Sequence, residues 1–119
     1  MKKPSASYPK NGEIFIADLN PSFGREIHKK RPVLVISNNV LNQVLPTVIV
    51  IPFSSIIPQF IGPDIVKINK QKGLNKQSTI IVNQLRSIDK ERLVKKVGKL
   101  SKTNSQEVEE AIKIVLDLN

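Results

Sequence analysis

A single histidine, no cysteine and ten scattered carboxylates leave this 119-residue chain few ways to do chemistry. One imidazole without thiolates cannot build a zinc cluster. The acids stand at positions 13, 18, 26, 64, 89, 91, 107, 109, 110 and 117. Their closest group falls on a helix-like stretch where they read as solvent-facing, so no Mg²⁺ cage, metal site or cofactor is expected. What remains is cationic. The net charge is +9, and residues 1–106 carry 18 Lys/Arg against six Asp/Glu, whereas residues 107–119 carry one Lys against four acids. A body that basic attracts phosphate polyanions, and would equally suit an acidic protein partner.

The cations gather at one place. Arg25, His28, Lys29 and Lys30 follow Phe23 within eight residues, offering a cationic strip beside one stacking surface, the combination that holds single-stranded RNA. An unperturbed imidazole at His28 would titrate near neutrality. Arg31 then stands where this loop meets the following strand, and the hydroxyls of Ser54 and Ser55 stand at the exit of another strand, so that sheet would hold both.

The elements that must position them are legible from periodicity. Gly12 to Leu19 alternates and is rich in β-formers, and Asn20-Pro21-Ser22-Phe23-Gly24 supplies turn chemistry. Arg31 to Ser37 reads as a strand with Pro32 confined to its first residues. A polar stretch with Asn38, Asn39 and Asn42 allows one helical turn. Thr47 to Ile51 is a continuous β-branched run suited to a central strand, which Pro52 should end. Asp64 to Ile68, Ser78 to Gln84 and Leu93 to Leu100 complete about six strands, with a turn around Lys72-Gly73. Asn104-x-x-Glu107 would cap a final helix in which Val108, Ala111, Ile112, Val115 and Leu116 form one apolar face. The expected class is α+β, mostly β: a small curled sheet or barrel with a C-terminal amphipathic helix packed on it.

Length bounds the organisation. A chain of 119 residues makes one domain able to bury roughly two-thirds of its unfolded surface. Residues 1–11 read as an N-terminal tail, and residues 12–119 as the single domain. No apolar run approaches the ~20 residues of a membrane helix, and residues 1–11 lack the apolar stretch of a secretory leader. A cytoplasmic protein with no membrane partner is expected.

Four segments in order resemble the MazF/PemK toxins: Gly12-Glu13-Ile14 through Asp18-Leu19-Asn20-Pro21 with Gly24-x-Glu26; Arg31-Pro32-Val33-Leu34-Val35-Ile36-Ser37-Asn38; Thr47 through Pro52-Phe53-Ser54-Ser55; and Gln84-Leu85-Arg86-Ser87-Ile88-Asp89-Lys90 leading into the final helix. Any one is weak; the four in order cover residues 12–118. The resemblance implies an SH3-like barrel with a terminal helix, a homodimer, and the toxin of a type II toxin–antitoxin system. Such a toxin is a sequence-specific, metal-independent, ribosome-independent endoribonuclease acting on single-stranded mRNA, restrained by an acidic, partly disordered antitoxin of MazE/PemI type.

Metal-free RNA cleavage uses the 2′-hydroxyl as nucleophile and needs charge stabilised on the phosphate and a proton given to the departing 5′-oxygen. With His28 alone a two-histidine mechanism is excluded, and an arginine must carry more of the electrostatic work. The resemblance assigns that role to Arg31, and phosphate donation to Ser54, where the family usually has a threonine; Ser55 is the neighbouring alternative. It places Glu26 near the active site as a proton acceptor or a support for Arg31. Asn38, Gln84 and Arg86 match groove-lining positions. Asn83 departs from members with a carboxylate proposed as general base, because an amide cannot serve as one; it is counted with the RNA-contacting residues.

Two other classes compete. A CcdB-type toxin shares the fold and binds gyrase, but in that family a tryptophan near the C-terminus makes the contact, and this chain has no Trp and ends Leu118-Asn119. A non-catalytic RNA-binding barrel would suit the basic body, and Asn83 favours it mildly. Arg31 together with Ser54 argues against it.

Overall fold

The computed structural model describes residues 8–21, 23–27 and 29–119. Its strands are β1 (Glu13–Asp18), β2 (Lys30–Val35), β3 (Thr47–Ser54), β4 (Ile65–Ile68), β5 (Ser78–Ile81), β6 (Arg86–Asp89) and β7 (Leu93–Lys99). Two helices accompany them, α1 (Asn39–Val44) and α2 (Lys102–Val115). The strands form one antiparallel sheet in the order β4-β5-β3-β2-β1-β7, with β6 paired to β3 beside that path.

This is the α+β, mostly β class with a C-terminal helix, with two corrections. The sheet has seven strands rather than about six, and it does not close into a barrel. The strand that periodicity missed is β6. The apolar run from Ser78 is broken by a 3₁₀ turn at Val82–Gln84, and the chain resumes as a separate strand on a different part of β3.

β3 is the long central strand, and Pro52 does not end it: pairing continues through Ser54. On one flank β2 pairs with β3 from Val33↔Pro52 to Val35↔Val50. On the other, β6 pairs with Thr47 to Val50 and β5 with Phe53 and Ser54. Pro52 lies in the gap between those two partners, so its missing N–H breaks no ladder on that flank. Pro32 is handled similarly: it pairs with Ile16 of β1, while pairing with β3 begins only at Val33.

Alternation along the strands gives the sheet two apolar faces. Ile14, Leu34, Ile51 and Phe53 join Val66, Ile68, Ile80 and Val82 on the face that α2 covers with Val108 and Ala111. Ala17, Leu19, Val33, Val35, Val48, Val50 and Ile88 pack on the other. The helix begins one turn earlier than its Asn-x-x-Glu pattern suggests. Ser101 is the N-cap, its hydroxyl accepting the Asn104 N–H at 3.2 Å, and Asn104 instead donates from its amide to Glu107. The residues before β1 are tied down as well: Pro9 is buried, the Asn11 amide donates to the Ile36 carbonyl at 2.9 Å, and the Gly12 N–H donates to the Val35 carbonyl at 2.8 Å.

α1 is built inside out. Its one buried residue is Asn42, fully inaccessible, whereas Val40, Leu41 and Val44, with Leu45 at the C-cap, all face solvent. The Asn42 amide donates to the Ser37 carbonyl at 2.9 Å and its oxygen accepts from the Ser37 hydroxyl, which in turn accepts the Ile49 N–H at 3.0 Å. A buried amide is tolerated because its partners are all present. Asn42→Ala would strand the Ser37 groups and should destabilise the fold by about 1–3 kcal/mol. Urea denaturation followed by circular dichroism measures this; an unchanged midpoint would show that the network is dispensable.

Candidate functional site

The register of the central strands brings the candidate residues together. Continuing the Val33–Pro52 pairing outward by two positions sets Arg31 opposite Ser54, so the start of β2 and the end of β3 meet at one rim of the sheet. There a cleft of about 370 Å³ is lined by Lys30, Arg31, Pro32, Phe53, Ser54 and Ser55 on one wall, with Ile16 beside them. Gly73, Leu74, Asn75, Lys76 and Ser78 make the opposite wall. Three cations and several hydroxyls line it, with no carboxylate among the described lining residues.

Arg31 is half-buried, and one guanidinium nitrogen (Nη1) donates to the Phe53 carbonyl at 3.2 Å, which holds the side chain across the strand ends. Burial lowers its pKa from the ordinary arginine value, because desolvation disfavours the cation. An arriving phosphate would restore the solvation the charge has lost. The Ser54 oxygen accepts the Ile56 N–H at 3.1 Å, an interaction that uses a lone pair and leaves the hydroxyl proton available for donation. Thr79 fixes that strand exit from beneath, its hydroxyl lying 3.4 Å from the Ser54 carbonyl and 3.1 Å from the Ile56 carbonyl.

The remaining candidates are placed elsewhere. The Glu26 carboxylate accepts the Phe23 N–H at 2.7 Å and closes the tip of the first loop; it does not line the cleft. The Gln84 amide oxygen accepts the Ile27 N–H at 3.3 Å, anchoring the base of that loop from the 3₁₀ turn. Asn38 is the N-cap of α1, its oxygen accepting from Val40 and Leu41. Asn83 is exposed on the 3₁₀ turn, and Arg86 is half-buried in β6 opposite Val50. Arg25 and Lys29 are exposed along the loop, and Phe23 is 88% exposed at its tip, whereas Lys30 opens β2 and lines the cleft. His28 lies outside the described residues.

Sequence reasoning missed the second wall. It belongs to the β4–β5 connection, where the chain folds back at Lys72-Gly73, with the Leu74 N–H donating to the Gln71 carbonyl at 2.9 Å. Leu74 is buried in the main core, and Gln71 donates from its amide to the Lys99 carbonyl at 3.0 Å. Gly73, at φ +90°, lies directly against β7: a Cβ there would collide with the Val97 carbonyl, and a Cβ on Gly98 would come 2.6 Å from the Lys72 carbonyl. The available signal was the pair of glycines, Lys72-Gly73 and Val97-Gly98, in segments with no other reason to lack side chains. Arg92 went unnoticed for the same reason; it donates to the carbonyls of Asp18 and Asn20 and pins the start of the first loop.

An open antiparallel sheet carries a terminal helix on one face and a cationic cleft at one rim. The PemK-like, MazF-like toxins of type II toxin–antitoxin systems match residues 10–116. The chain belongs to that family. Among solved structures it is similar to the Mycobacterium tuberculosis toxin MazF-mt6, with 26% identity, 90% of this chain and 98% of that one covered, and a TM-score of 0.76. It also shares the fold of MazF from Deinococcus radiodurans at 21% identity, with coverage of 93% and 98% and a TM-score of 0.82. A mycobacterial endoribonuclease in complex with its cognate antitoxin matches at 18% identity, with coverage of 93% and 97% and a TM-score of 0.77. No helix among the described residues is long and apolar enough to cross a membrane.

The glycine contact makes the cleft wall sensitive to a methyl group far from it in sequence. Gly98→Ala should push the 71–74 turn away from β7, costing about 1–3 kcal/mol as overpacking does. Hydrogen exchange at the Leu74 N–H should quicken. Unchanged exchange would mean that the turn is held by its other contacts alone.

Proposed function

We propose that the chain is the RNA-cleaving member of a toxin–antitoxin pair, cutting single-stranded RNA without a metal through Arg31 and Ser54. The observation that carries this reading is the convergence of those two side chains in one cationic cleft with no carboxylate in its lining. A phosphodiester seated there would meet the Arg31 guanidinium and the Ser54 hydroxyl together.

The chemistry follows from those groups. The 2′-hydroxyl of the upstream ribose attacks the adjacent phosphorus, and its proton passes to solvent at the open side of the cleft. Negative charge grows on the non-bridging oxygens, where Arg31 and Ser54 donate hydrogen bonds that strengthen as the charge develops. The bond to the 5′-oxygen breaks, leaving a 2′,3′-cyclic phosphate. Arg31, seated against the phosphate, supplies the proton to the departing oxygen and regains one from water. Glu26 acts here through the loop it closes, not as a base. Phe23, Arg25, Lys29 and Lys30 extend the binding surface along the strand on either side of the cut, with Ser55 at the cleft and Gln84 holding the loop.

The same cationic surface suits an acidic antitoxin, which would compete with RNA for it. Solved structures sharing this fold include MazE–MazF complexes from Deinococcus radiodurans. A second copy of the chain fits a different surface: the exposed apolar side of α1, with Ile49 of β3 beside it. Residues 38–47 contain no charged side chain, so two strongly basic chains can meet there without setting like charges together.

The purified protein, incubated with a long single-stranded RNA in excess EDTA, should give discrete fragments with cyclic-phosphate ends. Arg31→Ala should lose at least ~100-fold in rate, as removal of an oxyanion donor does, and Ser54→Ala roughly tenfold or more. Intact RNA across diverse substrates would move the assignment to a binding-only protein or to a gyrase-directed toxin. For the homodimer, Leu41→Lys together with Val44→Lys should shift sedimentation from dimer to monomer; a dimer that survives both would place the interface elsewhere.

A further inference from the structure

The opposite wall of the cleft contains a cation that the catalytic reading does not use. Lys76 is exposed, yet its neighbours are among the most firmly tied in the connection. Leu74 is buried in the core, Gly73 rests on β7, and Gln71 is bonded to Lys99. On the following side, Ser78 is buried and its hydroxyl donates to the Lys76 carbonyl at 3.2 Å, while the Gln77 amide donates to Asn69 at 3.2 Å. The backbone that carries Lys76 is thus tied to the sheet, and Lys76 is among the residues lining the cleft that Arg31 and Ser54 also line.

No carboxylate among the described residues is paired with that ammonium. Among the described residues the ion pairs are Lys96 with Glu13 and Lys113 with Glu110, and Lys76 takes part in neither. Every other cleft described on the surface has at least one carboxylate in its lining: Glu107 and Glu110 under α2, Glu109 beside α2, and Asp18, Asp89 and Glu91 near the first loop. A cation in neither described ion pair, held on a firm support on the cleft wall opposite Arg31, suits a second phosphate of the same strand. Consecutive phosphates lie too far apart for Arg31 to neutralise both. A strand held from one wall alone could also lift away from Ser54.

We propose that Lys76 is a substrate-positioning residue, gripping a phosphate next to the scissile one so that the RNA is clamped between the β4–β5 connection and the β2–β3 rim. The proposal rests on the ribonuclease reading and deepens it. Lys76 acts on binding and register, not on the reacting atoms. Its contact is electrostatic and independent of base identity, because ammonium is a compact point charge with no edge to read.

The test uses the full chain in three forms: wild type, Lys76→Gln and Lys76→Arg. Steady-state cleavage of a short fluorogenic RNA gives KM and kcat. Fluorescence anisotropy with a 2′-O-methyl version, which cannot be cut, gives affinity as a function of salt. Lys76→Gln should raise KM roughly fivefold, about the worth of one exposed ion pair, with a smaller change in kcat. It should also flatten the slope of log affinity against log salt by ~0.7, the loss of one phosphate contact on a single strand. Lys76→Arg should restore both. A merely structural lysine would move the melting temperature and leave the salt slope alone.

If wild type cuts RNA and Lys76→Gln leaves KM and the salt slope unchanged, or lowers kcat alone, the positioning role is wrong while the ribonuclease reading stands. If wild type cuts nothing, the ribonuclease reading falls and the positioning role falls with it.

Discussion

Everything at the rim depends on β3 serving three neighbours at once. A strand with one partner per flank could end anywhere; this one must reach past Pro52 because β5 is paired to Phe53 and Ser54 beyond it. That extra length puts a hydroxyl at the exit of the central strand and a backbone carbonyl, that of Phe53, within 3.2 Å of the Arg31 guanidinium. The change of partner from β6 to β5 opens a gap in the ladder, and proline is the residue that loses least by sitting there. Local composition and long-range pairing therefore agree at a position where each alone points the other way.

Much of the fold was legible because β-branched and aliphatic runs bounded by turn residues mark β1, β2 and β3, and apolar residues recur at helical spacing along α2. The rest was hidden by interactions that sequence spacing does not encode. β6 was concealed because its pairing partner lies some forty residues earlier, on β3. The Pro52 rule failed because it concerns strands paired on both sides at the proline, and β3 is locally paired on one. In α1 the apolar residues suggest a helix face to be buried, yet the side chain that is buried is Asn42, whose partners Ser37 and Ile49 satisfy it.

The site divides along the same line. Arg31, Ser54, Ser55 and Lys30 could be named from the sequence because each stands next to a strand boundary that the pattern locates. Glu26, Gln84 and Asn38 are equally polar, and the hydrogen bonds described for them lie at a loop tip, a loop base and a helix cap. Residues of those types hydrogen-bond to nearby backbone so readily that spacing alone cannot separate a cap from a ligand contact. Asn75 and Lys76 escaped notice because a turn residue reveals its function only when the turn is seen docked against another strand.

The first loop is closed at its base by the Leu19 N–H bonded to the Lys29 carbonyl, by the Ile27 N–H bonded to Gln84, and by Arg92 on the carbonyls of Asp18 and Asn20. Between those ties the Glu26 N–H is bonded to the Phe23 carbonyl and the Glu26 carboxylate accepts the Phe23 N–H. Such a loop behaves as an exchangeable cassette. The register of β1 and β2, with Asp18 opposite Lys30, is set below the tip, so a change of length between Phe23 and Glu26 falls outside that pairing.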